Sequence, residues 1–128
     1  MSKPSGYSAF DEEVSRRWGA TDAFRESQER LAGYSKQDRQ DAQAAQEEGL
    51  QGVISALDRG LLPTSLEAMV AADQCRKLIS RWYFECSPAM HKQLAKLYVS
   101  DERFRDFYES RREGLAQYFY DAIHAHAD

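Results

Sequence analysis

A chain of 128 residues, 42% hydrophobic and 12% aromatic, has the size and apolar content of one domain with a moderate core. Its 17 Lys and Arg against 21 Asp and Glu leave a net charge of −4, so nucleic acid is not an expected partner despite short basic clusters such as Arg111-Arg112. No window approaches about 18 consecutive apolar residues and no signal-peptide pattern opens the chain, so the expectation is a soluble, cytoplasmic protein with no membrane partner.

Pro and Gly are scarce, and apolar residues recur at helical spacing without alternating β-branched runs; the predicted fold class is all-α, with about seven helices. Residues 1–6 read as a flexible N-terminal tail. Two short helices follow at 8–18 and 21–32, separated by Gly19-Ala20, with Thr21 as the cap of the second. Ser35 caps a long helix over 36–58, whose apolar side is Ala42, Ala45, Leu50, Val53, Ile54 and Leu57 and which Gly60 closes. After the turn Leu61-Leu62-Pro63-Thr64-Ser65, a helix is expected over 65–85. Pro88 pushes Ser87 out of the α region, and Ser87 then caps a helix over 88–99. Helices over 101–109 and 112–126 complete the chain, started by Ser100-Asp101 and by Ser110.

On the 65–85 helix, Cys75, Leu78, Ile79, Trp82 and Cys86 share one stripe, which sets a thiol beside a large aromatic at a corner. Cys75 and Cys86 would lie roughly 16 Å apart on one helix, too far for a disulfide, so both read as free thiols in a reducing compartment. Aromatic mass is uneven: ten aromatics fall between Trp82 and Tyr120, and only five within residues 1–60. The expected division of the single domain at 7–128 is therefore a C-terminal core over 61–128 and lid-like N-terminal helices over 7–60, which order when a ligand supplies apolar surface.

Trp82, Tyr83, Tyr98, Phe104 and Tyr118 are candidate walls of an elongated apolar cleft that stacks flat heteroaromatic rings; core packing is the alternative for each. Trp18, in a polar segment, either pins the lid to the body or touches ligand. The spacing of His91, His124 and His126 relative to Cys75 and Cys86 does not match a metal site, so no metal or other cofactor is expected. Acidic runs such as Asp11-Glu12-Glu13 and Glu47-Glu48 suit polar helix faces, and no carboxylate is placed for acid/base work, so the chain does not read as an enzyme.

Taken together, Arg17-Trp18-Gly19, Ser27-Gln28-Glu29-Arg30, Ala71-Ala72-Asp73, the run Ile79 to Pro88, His91, Leu94, Tyr98, Asp101-Glu102-Arg103-Phe104, and Gly114-Leu115-Ala116 through Ala122-Ile123-His124-Ala125 resemble the antibiotic-recognition domain of the TipA family. The resemblance implies a globin-like helical bundle without haem. It also implies binding of thiopeptide-like or other amphipathic heteroaromatic antibiotics, with an N-terminal part that folds around the ligand on a preformed core. In the family the domain is often the effector half of a MerR-type transcription regulator; a chain that starts at Met1 and reaches Trp18 so soon looks like the stand-alone form, which sequesters drug.

The resemblance carries the family's thiol onto Cys86, which would add to a dehydroalanine of the ligand, and His91 joins the ligand-binding set. A helix C-terminus would raise the Cys86 pKa while the next helix start and His91 would lower it. The chain departs from the family pattern at Glu113-Gly114, where Pro-Gly is common and where the last helix is thereby free to begin earlier, and in the bulky triplet Tyr118-Phe119-Tyr120. The competing reading is a protein-interaction or transcription-regulatory effector module whose groove takes a partner helix in place of a drug. Monomer and dimer are both compatible with the sequence.

Overall fold

In the computed structural model residues 22–127 are described, and among them there are six α-helices and no strand. The all-α architecture expected from the sequence is the one observed. The expected helix at 8–18, its Trp18 and the Thr21 cap lie outside the described residues. The helices are α1 (Asp22–Ala32), α2 (Lys36–Asp58), α3 (Leu66–Trp82), α4 (Pro88–Ser100), α5 (Glu102–Glu109) and α6 (Leu115–Ala127).

Their ends follow local chemistry. At the start of α2 the Ser35 side chain accepts from the Asp38 N–H while the Asp38 carboxylate accepts from the Ser35 N–H, a reciprocal capping box. Gly60, with φ of 73°, ends that segment in a conformation that a Cβ would strain. Ser65 and Ser87 each accept from the N–H three residues on, and Pro88 occupies the first turn of α4, where its missing N–H costs nothing. Asp101 ends α4 and caps α5, accepting from the Arg103 N–H.

Two boundaries differ from the sequence-based expectation. α3 stops at Trp82, short of residue 85: both the Tyr83 and the Phe84 N–H turn back to the Ile79 carbonyl, and the Cys86 N–H leaves the helical pattern for Ser80 Oγ at 2.9 Å. The chain needs these residues to reach the extended Ser87 that Pro88 demands. α6 starts at Leu115 and not at 112, because Gly114 takes a φ of 86° and the Glu109 carboxylate accepts the Gly114 and Ala116 N–H groups, both at 2.9 Å. Glu113-Gly114 therefore delays the last helix, contrary to the earlier start expected of it.

α3 and α4 both pack on α6, α2 lies along α3, and α5 bridges α4 and α6. One buried cluster joins Leu50, Val53 and Ile54 of α2 to Ile79, Leu94, Tyr98, Phe104, Tyr108, Leu115, Phe119 and Ile123. Apolar burial thus continues across residue 60, from α2 into the helices that follow. α1 packs Leu31, partly buried, against this cluster and adds polar contacts to the end of α3: Arg30 Nη1 donates to the Ser80 carbonyl and Tyr34 Oη, just beyond α1, to the Trp82 carbonyl, each at 2.6 Å.

Candidate functional site

A cavity of about 100 Å³ lies where α2, α3, α4, α5 and α6 converge. α3 contributes Cys75, Leu78 and Ile79, three successive members of one helical stripe, while α2 contributes Leu50 with Gln46 and Glu47 one turn earlier. α4 adds His91 and Tyr98, α5 adds Arg103, Phe104, Phe107 and Tyr108, and α6 adds Phe119. α2 and α3 approach closely beside it: a Cβ on Gly49 would come within 2.7 Å of Leu78 Cδ1 and 3.5 Å of Cys75 Sγ.

The inner wall is aromatic. Tyr98 stacks on Phe119 with centroids 5.5 Å apart and planes 17° apart, and Tyr108 sits 4.8 Å from Tyr98 and edge-on to Phe119 at 5.6 Å. Phe104 tilts against Tyr98 at 5.9 Å. The Tyr98 and Tyr108 rings pack 4.8 Å apart, and burial raises both phenol pKa values, so the wall is uncharged near neutral pH.

The mouth is charged. Arg111 pairs with Glu47 through Nε at 3.0 Å and lays its guanidinium 3.7 Å over the Phe107 ring, so one side chain ties α2 to the end of α5 across the opening. Arg103, at the same end, pairs with Asp101 at 3.5 Å.

His91 is 2% exposed and meets Phe119 edge-on at 5.9 Å, and its Nε2 has no hydrogen-bond partner among the described residues. Burial, with a smaller push from Arg76, lowers its pKa to about 4, so the imidazole is neutral at pH 7. A smaller hollow on its far side is bounded by Asp73, Arg76, Pro88, Ile123 and His126, where Arg76 Nε donates to Asp73 at 2.7 Å and Arg76 Nη1 to the Cys86 carbonyl at 2.9 Å.

Of the residues singled out in the sequence, the structure brings His91, Tyr98 and Phe104 together on the cavity wall. Tyr83 and Tyr118 are buried elsewhere, and the Tyr118 hydroxyl donates to the Leu61 carbonyl at 2.8 Å, pinning the loop after α2 to α6. Trp82 is half-buried under α1's end, with Tyr34 edge-on at 5.9 Å and Arg81 4.2 Å above the ring. Cys86 does not face the cavity: it is 0% exposed, its thiol donates weakly to the Ser87 carbonyl at 3.8 Å, and burial pushes its pKa up to about 12 against the lowering effect of Arg76. The early end of α3 is the cause, because it takes Cys86 off the stripe that Cys75, Leu78 and Ile79 share. The thiol on the cavity wall is that of half-buried Cys75, also pushed up to about 12 by burial.

Sequence reasoning passed over Cys75 as a wall residue, and with it Tyr108 and Phe107. A signal existed for Tyr108, which stands one helical turn after Phe104 on the same face. Among the described residues no three His, Cys, Asp or Glu side chains gather as metal ligands, and no helix is long and apolar enough to cross a membrane.

Comparison with known proteins bears on what such a cavity is for. Residues 10–126 match the model of the TipAS antibiotic-recognition domain. The chain is 42% identical over 118 residues to the HTH-type transcriptional activator TipA of Streptomyces coelicolor, covering 92% of this chain and 47% of that protein. It is 26% identical over 119 residues to the HTH-type transcriptional activator mta of Bacillus subtilis, covering 93% and 45%. The chain thus spans about half the length of the curated relatives it matches. The solved structure of TipAS from Streptomyces lividans in complex with nosiheptide superposes with a TM-score of 0.83 at 40% identity, covering 94% of this chain and 85% of that one. Family model, sequence identity and superposed fold agree over nearly the whole length, and the chain belongs to the TipAS antibiotic-recognition domain family.

Proposed function

We propose that this domain binds thiopeptide-like or related amphipathic, ring-rich antibiotics, and that the cavity between α2 and α6 takes one ring of the ligand. The observation that carries the reading is the aromatic cavity itself, in a chain whose solved relative was determined with nosiheptide. Its volume of about 100 Å³ is below the ~150 Å³ of a cavity known to take benzene, so a multi-ring antibiotic would insert the edge of one ring, with flexible wall side chains such as Leu78 giving way, and rest its remaining body across the mouth. Gln46, Glu47, Arg103 and Phe107 supply polar and stacking contacts there. The outer contacts are a role for the segment preceding α2, closing over a bound ligand. The domain acts by stoichiometric binding rather than turnover, in the cytoplasm and without contacting nucleic acid; sequestration is its task if it works alone, and sensing if it is joined to a DNA-binding segment.

Covalent capture fits Cys75 better than Cys86, since addition to a dehydroalanine requires the sulfur and the electrophilic carbon to meet. Titration with nosiheptide, followed by calorimetry and by amide and aromatic NMR shifts, tests the reading. Saturable binding that moves the Tyr98, Phe104 and Phe119 resonances is the expected result; heat without those shifts would relocate the site, and no binding at all would favour a protein-interaction module. Mass spectrometry of Cys75→Ala and Cys86→Ala with the same ligand assigns any adduct to one sulfur.

A further inference from the structure

His91 borders the cavity, and its Nε2, buried just behind that wall, is left without a hydrogen-bond partner among the described residues. A buried nitrogen without a hydrogen bond forfeits the one it would make in water, which makes its retention beside an otherwise aromatic wall a chemical signal. Of the charged residues lining the same cavity, Glu47 is already paired with Arg111. A neutral imidazole carries one N–H and one lone pair, so Nε2 either donates or accepts according to tautomer. A hydroxyl answers both cases, donating to the lone pair or accepting from the N–H. With Tyr98 and Phe119 as flat apolar surroundings and a cavity of about 100 Å³ that admits the leading edge of a ring, the complementary group is a monocyclic aromatic ring bearing a hydroxyl on that edge.

We propose that His91 Nε2 is the polar anchor of the cavity and selects a hydroxylated aromatic ring over its apolar isostere. The inference rests on reading the cavity as the ligand site and adds the chemical class of the group that enters it. Phenol and toluene differ by the hydroxyl alone and probe it directly. Titrated into the full chain, phenol should bind about tenfold more tightly than toluene and should move the His91 Nε2 signal in a long-range ¹H–¹⁵N spectrum, which toluene leaves in place. His91→Phe, similar in shape, should bring the two affinities together. Equal affinities in the wild type, a still Nε2 signal with phenol, or a preference for phenol that survives in His91→Phe would overturn the anchor while leaving the cavity reading intact. If neither compound shifts the Tyr98 or Phe119 resonances, both the anchor and the cavity reading fall. The Nε2 signal is read on the wild-type protein, so the question is decided even if His91→Phe does not fold.

Discussion

α6 and α1 meet the rest of the molecule through different balances of contact, α6 mainly by apolar burial and α1 by Leu31 together with several hydrogen bonds. α6 buries Leu115, Ala116, Phe119, Ala122 and Ile123 against α3 and α4, whereas α1 and the turn after it are fastened by Arg30 to the Ser80 carbonyl, Tyr34 to the Trp82 carbonyl, and Glu26 accepting from the Glu85 N–H at 3.2 Å. Apolar burial is lost outright when a helix leaves, but a surface hydrogen bond is exchanged for one with water at a net cost of only about 0.5–1.5 kcal/mol. On the proposed reading, motion coupled to a ligand would fall to the α1 side, and the fixed wall against which a ring can stack to α6. α2, expected in the movable part, shares the α6 kind of contact through Leu50, Val53 and Ile54.

The sharpest way to break this contrast is Phe119→Ala. Phe119 is buried, touches Tyr98, Tyr108 and His91, and lines the cavity, so truncation should cost about 3–5 kcal/mol in urea unfolding and remove ligand binding with it. A loss below about 1 kcal/mol would mean that α6 is no more firmly held than α1.

Acid gives the next largest effect. The folded-state pKa of His91 is about 4, against 6.5 for a free imidazole, so between those values only the unfolded chain takes up a proton at this side chain. Its contribution is complete above pH 6.5, declines as pH falls, and is lost below 4; the 2.5-unit gap corresponds to about 3 kcal/mol. Arg76 faces His91 with positive charge and lowers its pKa, His124 acts in the same direction, and the negative charge of Asp73 opposes them. Asp73, held below its ordinary 3.8 mainly by the Arg76 hydrogen bond, weakens the fold only at lower pH, so the two windows separate. Urea midpoints of wild type and His91→Phe, measured from pH 7 to 4, should diverge in slope; parallel curves would show that His91 is not buried as a neutral ring.

The long helices and their caps were legible in the sequence because the signals are local. Ser35 with Asp38, Ser65, and Ser87 before Pro88 each dictate a helix start within a few residues, and those starts are where they were expected. What could not be read was how far α3 runs. Its end depends on Ser80 Oγ capturing the Cys86 N–H and on Arg76 reaching the Cys86 carbonyl, contacts across 6 and 10 residues with no periodic signature. That small error exchanged the thiols, moving Cys86 into the interior and leaving Cys75 on the cavity wall. Aromatic composition likewise located the site in the C-terminal half but could not sort Tyr98, which stacks in the wall, from Tyr118, whose hydroxyl serves a loop.

On the α1 side the expected effect is smaller. Tyr34→Phe removes the hydrogen bond to the Trp82 carbonyl while keeping the ring beside Trp82, and should cost about 1 kcal/mol. Hydrogen exchange should show the loss confined to α1, with α6 protection unchanged; an equal drop in both helices would mean that they open as one unit and the contrast does not hold.

The smallest change in stability should carry the clearest change in function. Gly49 sits within α2, where Ala is favoured over Gly by about 1 kcal/mol through propensity alone. An added Cβ would stand 2.7 Å from Leu78 Cδ1, too close to remain, but that atom is the end of a flexible side chain which borders the cavity and has space to turn into it. Gly49→Ala should therefore leave the unfolding midpoint nearly unchanged or slightly raised, because the helical gain offsets the displaced Leu78. The displaced methyl would occupy space meant for the ligand's ring, so nosiheptide affinity should fall although no polar contact has been altered. Unchanged affinity at unchanged stability would mean that the ligand does not enter between α2 and α3, and that the fixed wall on α6 is touched only from the mouth.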